Sequence, residues 1–81
     1  MPSTIFDSAH TGLVELLIAA RKGLRLTQAQ LGARVGRSQS FISLIERGQR
    51  RVDVVEFVAL ARALEAEPKA MFAKLLAQSE A

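Results

Sequence analysis

Basic side chains are concentrated in one segment near the middle of this chain. Residues 21–51 hold eight basic side chains and one acid, a local net charge of +7. The basic residues are Arg21, Lys22, Arg25, Arg34, Arg37, Arg47, Arg50 and Arg51, and the acid is Glu46. The other 50 residues carry −4, which leaves +3 overall. Such a block is often only a solvated face, but an excess of this size favours an anionic partner, either nucleic acid or phospholipid.

No set of side chains suited to catalysis or metal binding accompanies this charge. The chain has no cysteine, which excludes disulfides, thiolate ligands and a cysteine nucleophile. His10 is the single histidine and has no second metal ligand nearby in the sequence. Glu65 and Glu67 have no histidine or nucleophile spaced for acid–base or covalent chemistry. We therefore predict a protein that is not an enzyme and that uses no metal and no cofactor.

Length and hydropathy indicate one small domain without a membrane span. The 81 residues allow a single core, and the 49% hydrophobic fraction must supply its stability. The N-terminus lacks the basic start and apolar run of a signal peptide, and the longest apolar run, residues 16–20, is far too short to cross a bilayer. We expect a cytoplasmic protein. A basic peripheral membrane protein is the weaker alternative, because the arginines do not follow one amphipathic helix.

Start and stop residues divide the chain into five predicted helices, and strand patterns are nearly missing. Helix one is expected to begin between Asp7 and Thr11 and to end at Gly23. The expected starts of helices two to five are the capping box at Thr27, the cap Ser38, the capping box at Asp53 and Pro68. The predicted fold is all-α, with residues 1–9 as a tail and the start of helix one, residues 10–77 as one domain and residues 78–81 as a frayed tail.

Apolar residues at helical spacing predict which faces are buried. The expected inner stripe of helix one is Leu13, Leu17 and Ala20. The expected inner stripe of helix four is Val55, Val58, Ala61 and Leu64.

Helices two and three are short and close together in the sequence, so they must cross at a steep angle, as in a helix-turn-helix unit. Gly32 is small where the two backbones must approach each other, and Gly36 can adopt the positive φ that the turn requires. Ile42 and Ile45 then anchor helix three to the core.

These residues carry a family resemblance. The chain resembles the Cro/C1-type (Xre-family) DNA-binding domain of lambdoid phage repressors in the run Leu24-x-Leu26-Thr27-Gln28-x-x-Leu31-Gly32-x-x-Val35-Gly36 and in Ser38-x-x-x-Ile42-x-x-Ile45-Glu46-x-Gly48. Leu60-Ala61-x-Ala63-Leu64 with Pro68 and Phe72 is similar to the family's last two helices. The resemblance covers about residues 10–77 and departs at Gly32, where alanine is commoner. It implies a compact five-helix, lambda-repressor-like fold and a sequence-specific regulator of transcription, a repressor or autoregulator, on double-stranded DNA.

The resemblance also implies roles for single residues. Helix three would enter the major groove and read bases with Gln39, Ser40, Ser43 and Leu44. The phosphate contacts would come from Gln28, Arg37, Arg47, Arg50 and Arg51. Gln28 would also brace Gln39, and Arg21 would pair with Glu46 to orient helix three. Phe41 is left with two interpretations: it packs under helix two, or it stacks on a sugar or base methyl.

A single domain reads too few base pairs to find one site in a genome, which predicts a homodimer on a palindromic operator. The predicted interface is the apolar set of helix five, Met71, Phe72, Leu75 and Leu76, and the extra apolar face of helix one is the alternative. In a rival hypothesis the same fold serves mainly as a protein-binding module, such as an antitoxin with its toxin partner.

Overall fold

The computed structural model describes residues 5–79, which form five helices and no strand within that range. They are α1 (Ile5–Gly23), α2 (Gln28–Arg34), α3 (Gln39–Glu46), α4 (Val54–Ala63) and α5 (Pro68–Ser79). The all-α prediction is confirmed. Helix α1 begins before both predicted caps, and α5 continues into the expected frayed tail. None of these helices is long and apolar enough to cross a membrane.

The predicted capping boxes are present. The Thr27 hydroxyl accepts from the backbone N–H of Gln30 at 3.0 Å, while the Gln30 side chain accepts from the N–H of Thr27 at 2.9 Å. Asp53 and Glu56 make the equivalent pair at the start of α4, at 2.7 and 3.0 Å. Each box satisfies amides that a helix leaves unpaired at its start, so these local patterns set where α2 and α4 begin.

Four helices end in a residue with left-handed backbone geometry. Gly36 and Gly48 hold this position after α2 and α3, with φ of 69° and 75°. After α1 and α4 it is held by Arg25 and Glu65, each with φ of 58°. Helix α1 ends at Gly23, as predicted, but the left-handed position after it is held by Arg25. The chain turns for two more residues, and the backbone N–H of Leu26 then donates to the carbonyl oxygen of Arg21 at 3.1 Å.

The core lies between all five helices. Its buried side chains are Leu17, Leu31, Ile42, Ile45, Leu60, Ala61, Leu64 and Met71. The predicted stripe of α4 is wrong at Val55, which is 78% exposed. Residues at successive i+3 positions rotate about 60° per step around a helix, so Val55 and Ala61 do not share a face. The buried residues of α4 and its end are Leu60, Ala61 and Leu64, of which the last two were predicted, and Phe57 and Val58 are half-buried.

Helices α2 and α3 pack closely at Gly32, as predicted. A Cβ atom at this position would lie 2.8 Å from the carbonyl oxygen of Arg37 and 2.9 Å from that of Ser38. Both atoms belong to the backbone of the turn and cannot rotate away as a side chain would. A Cβ atom at this position would therefore force the turn and α2 apart, and their close approach sets the position of α3.

Candidate nucleic-acid interface

The start of helix α3 is the most exposed part of the predicted reading surface. Ser38 caps the helix by accepting from the N–H of Phe41 at 3.2 Å. Gln39 and Ser40 follow as its first two residues, and both are exposed. Two further predicted base-reading residues, Ser43 and Leu44, lie about one turn along and are half-buried. The geometry therefore presents Gln39 and Ser40 most openly to a partner.

A chain of hydrogen bonds determines the orientation of the Gln39 amide. Glu46 accepts through Oε1 from Nε2 of Gln28 at 2.9 Å, and Oε1 of Gln28 accepts from Nε2 of Gln39 at 2.7 Å. A carboxylate only accepts, so Gln28 must turn its NH₂ group toward Glu46 and its oxygen toward Gln39. Gln39 consequently keeps its own oxygen and one N–H for a partner. That acceptor–donor pair matches N6 and N7 of adenine.

The Glu46 carboxylate is itself held by Arg21. Arg21 donates from Nε to Oε2 of Glu46 at 2.7 Å and from a terminal nitrogen to Oε1 at 3.0 Å. A third bond, of 2.8 Å, reaches the carbonyl of Leu26 next to the start of α2. The two charged side chains are only 12% and 9% exposed, so the fork-shaped pair lies where water screens it little. One arginine of α1 thus joins α1, the loop before α2, and α3.

The four arginines predicted to contact phosphate fall into two groups. Arg37, Arg47 and Arg51 have exposed side chains on either side of α3 in the chain. Arg50 differs from the prediction of a clamp that waits for phosphate, because its guanidinium donates two bonds of 2.8 Å to Glu56. It also donates to the carbonyl of Arg51 at 2.8 Å.

Sequence reasoning missed the contact between Glu56 and Arg50, because the Asp53–Glu56 capping box already explains a glutamate at this position. The bonds from Arg50, followed by the bond from the Asp53 backbone N–H, lower the pKa of Glu56 to about 2. The same carboxylate raises the pKa of Arg50. The pair is therefore fully ionised at neutral pH, and its net charge at this edge of the surface is zero.

Phe41 packs against the hydrophobic core and lies beside two guanidinium groups, and its stacking on a sugar or base methyl stays a prediction. Its half-buried ring lies against the hydrophobic core. The guanidinium carbon of Arg37 lies 4.9 Å from the ring centroid, and that of Arg50 lies 4.6 Å from it. Both distances are within the range of cation–π attraction.

The predicted dimer residues of α5 do not share one environment. Met71 is 6% exposed and belongs to the core of its own chain, so its assignment to a dimer interface is corrected. Phe72 and Leu76 are 49% and 46% exposed, and Leu75 is half-buried. An open apolar groove of about 410 Å³ continues from Phe72 and Leu75 across α4 to α1.

Within residues 8–78 no three potential metal ligands cluster together. Glu65 pairs with Arg34 at 3.3 Å on the surface, and Glu67 accepts from the N–H of Ala70 at 2.9 Å. The buried Nε2 atom of His10 has no hydrogen-bond partner among the described residues.

Comparison with known proteins agrees with this geometry. Residues 13–75 match the family described as the helix-turn-helix domain. An XRE-family like protein from Pseudomonas syringae pv. tomato has 41% identity and a TM-score of 0.86, over 90% of this chain and 89% of that one. The restriction-modification controller protein C.AhdI from Aeromonas hydrophila has 32% identity and a TM-score of 0.74, over 82% of this chain and 96% of that one.

A curated relative extends the comparison beyond solved structures. An HTH-type transcriptional regulator of Sinorhizobium fredii is 42% identical over 55 residues, which are 68% of this chain. The matched part is 28% of that regulator, so the chain corresponds to less than a third of its length. The close approach at Gly32, the exposed start of α3 and these matches lead to one conclusion: the chain belongs to the helix-turn-helix family of DNA-binding domains, in its Cro/C1-type (Xre-like) form.

Proposed function

We propose that this protein is a sequence-specific regulator of transcription that reads the major groove of double-stranded DNA with α3. The observation that carries the proposal is the oriented amide of Gln39 at the exposed start of that helix. Its free oxygen and N–H fit adenine, and a matched bidentate contact discriminates by about 1–3 kcal/mol against a wrong base. The relatives, which include an HTH-type regulator and a restriction-modification controller, support the same class of function.

Phosphate contacts supply the sequence-independent part of the proposed affinity. Arg37, Arg47 and Arg51 are the exposed cations nearest to α3 in the sequence, and each phosphate they neutralise would release counterions. In this proposal Arg21 and Glu46 do not touch DNA but hold Gln28 and helix α3 in place. The protein acts as a cytoplasmic, non-enzymatic repressor or autoregulator.

The test begins with selection of bound duplexes from a random pool, which returns the half-site, its spacing and its symmetry. Gln39→Ala is then titrated on the selected duplex and on a scrambled one. It should weaken only the specific complex, by about 1–3 kcal/mol, and relax preference at one base position. Gln78→Ala, the same change on the exposed surface of α5, serves as the control. Equal losses on both duplexes would remove base reading from Gln39.

The proposal includes a homodimer that binds two half-sites about one helical turn apart. Phe72, Leu75 and Leu76 on α5 remain the candidate interface, and the apolar groove beside them extends it. Val54 and Val55 add two further exposed apolar side chains at the start of α4. Sedimentation with and without the selected duplex measures the oligomeric state. Phe72→Ser should shift the protein toward monomer. A wild-type monomer under both conditions would contradict the dimer.

The same apolar surface supports a second candidate function, binding to a different protein such as a toxin. Two nearly fully exposed valines are unusual on a small domain that acts alone. A wild-type protein that stays monomeric, aggregates when purified alone and selects no duplex would favour this alternative over the regulator.

A further inference from the structure

Phe41 connects two cations that lie on either side of helix α3 in the chain. Arg37 directly precedes the cap Ser38, and Arg50 follows the end of the helix. Their guanidinium carbons lie 4.9 and 4.6 Å from the centroid of one ring, which belongs to the first turn of α3. The ring is half-buried against the core, so its own position is set by packing.

Two positive groups held against the same ring repel each other unless something offsets the repulsion. The negative face of the Phe41 ring attracts both guanidiniums and thereby offsets part of this repulsion. The Glu56 carboxylate offsets the charge of Arg50 through two hydrogen bonds of 2.8 Å, which also hold that guanidinium in one place. Arg37 has an exposed side chain that lies within cation–π range of the ring, and its charge also acts on the nearby Glu56 carboxylate.

We propose that Phe41 is a positioning residue that holds Arg37 in place, beside the Glu56-bound Arg50, for a phosphate of duplex DNA. The inference rests on the proposed DNA-binding function and deepens it. A flexible arginine loses rotamer entropy when it binds phosphate, whereas one already stacked on a ring has lost part of that freedom beforehand. The contribution is to affinity for any duplex, because phosphate contacts carry no base information.

This role differs from ordinary core packing in a measurable way. Phe41→Leu keeps an apolar side chain against the core but removes the ring, whereas Phe41→Tyr keeps the ring. We expect Phe41→Leu to weaken binding to selected and scrambled duplexes alike by about two- to tenfold, since the Arg37 side chain is no longer ordered before it binds phosphate. Phe41→Tyr should stay within about twofold of wild type.

A double-mutant cycle between positions 41 and 37 decides the mechanism. Arg37→Ala should weaken binding in the wild-type background and have a clearly smaller effect when Phe41→Leu is already present. Multiplied losses in the double variant, or equal losses for Phe41→Leu and Phe41→Tyr, would overturn the inference. Thermal melting of each variant accompanies the titrations, and Phe41→Met replaces Phe41→Leu if the latter does not fold.

Titration of the wild-type protein with duplex DNA distinguishes a failure of this role of Phe41 from a failure of the proposed function. If wild type binds no duplex, the proposed function fails and this role fails with it. If wild type binds and Phe41→Leu binds equally well at low and moderate salt, only the role of Phe41 fails.

Discussion

Replacing Glu46 by glutamine tests whether one buried carboxylate both stabilises the domain and orients the reading helix. The change keeps the side-chain volume but removes the charge that accepts from Arg21 and Gln28. A glutamine has only one oxygen to accept these three bonds, and its NH₂ group then faces other donors. Arg21, whose side chain is 12% exposed, would retain its charge without a charged partner.

The expected magnitude follows from this burial. Removing one partner of a fully buried ion pair costs about 3–5 kcal/mol, whereas an exposed pair contributes about 0–1 kcal/mol. Since both side chains are about nine-tenths buried and Arg21 keeps its bond to Leu26, we expect Glu46→Gln to lower the free energy of unfolding by about 2–3 kcal/mol. For a domain of this size that is a fall in Tm of roughly 10–20 °C.

Urea unfolding followed by circular dichroism measures the loss, and Glu65→Gln is the matched control. Glu65 pairs with Arg34 at 3.3 Å, but the two side chains are 65% and 41% exposed, so this control should change stability by less than about 0.5 kcal/mol. A loss of similar size in both variants would refute the reasoning that burial gives the Arg21–Glu46 pair its importance.

A double replacement separates stability from base reading. Arg21→Met with Glu46→Leu exchanges the pair for apolar side chains, which often restores stability. Gln28 would still lack the acceptor that orients its amide, so preference at the base read by Gln39 should remain relaxed. A double variant that folds well and discriminates like wild type would show that Glu46 does not orient Gln28.

Four further predictions address single features of the structure. Gly32→Ala should lower the free energy of unfolding by about 1–3 kcal/mol in urea titrations, because its Cβ would meet backbone oxygens at 2.8 and 2.9 Å. Arg25→Gly should raise Tm by a few degrees in a thermal melt, since φ of 58° is strained for arginine by about 1–2 kcal/mol, part of which is offset by glycine's backbone entropy. Arg47→Ala should lower the slope of log K against log salt by about one, whereas the double change Arg50→Ala with Glu56→Gln, which removes a pair of zero net charge, should leave it nearly unchanged. The pKa of Glu56 is about 2 in the folded chain, so its ion pair should stabilise the protein above about pH 5 and lose that effect as the pH falls toward 2. The free energies of unfolding of wild type and Glu56→Gln, measured by urea titration, should therefore converge in acid.

Local rules accounted for much of the fold before any contact was known. The caps at Thr27, Ser38 and Asp53 act on amides two or three residues away, so their motifs place the starts of three helices correctly. The roles of Gly32 and Gly36 also follow from the sequence, because a short turn between two short helices limits which residues fit. The motif resemblance supplied the expectation that Arg21 lies near Glu46, which the spacing of 25 residues does not reveal.

Features that depend on packing between distant residues were not predictable in this way. Val55 has the same type and spacing as a core residue, but the rotation of α4 against its neighbours leaves it 78% exposed and buries Leu60 instead. Arg50 looked like one more free cation, and only the fold brings it against both Phe41 and Glu56.

The basic segment of residues 21–51 shows which properties the sequence determines and which depend on the tertiary structure. Composition alone indicated an anionic partner, since eight basic residues in one segment repel each other unless an anion or solvent compensates. Which of those charges remains available was a matter of three-dimensional neighbours: Glu46 neutralises Arg21 inside the domain, Glu56 neutralises Arg50 at its surface, and Arg37 and Arg47 stay exposed. The sign and place of a charge are properties of the chain, whereas its partner depends on distances that arise only when the helices pack.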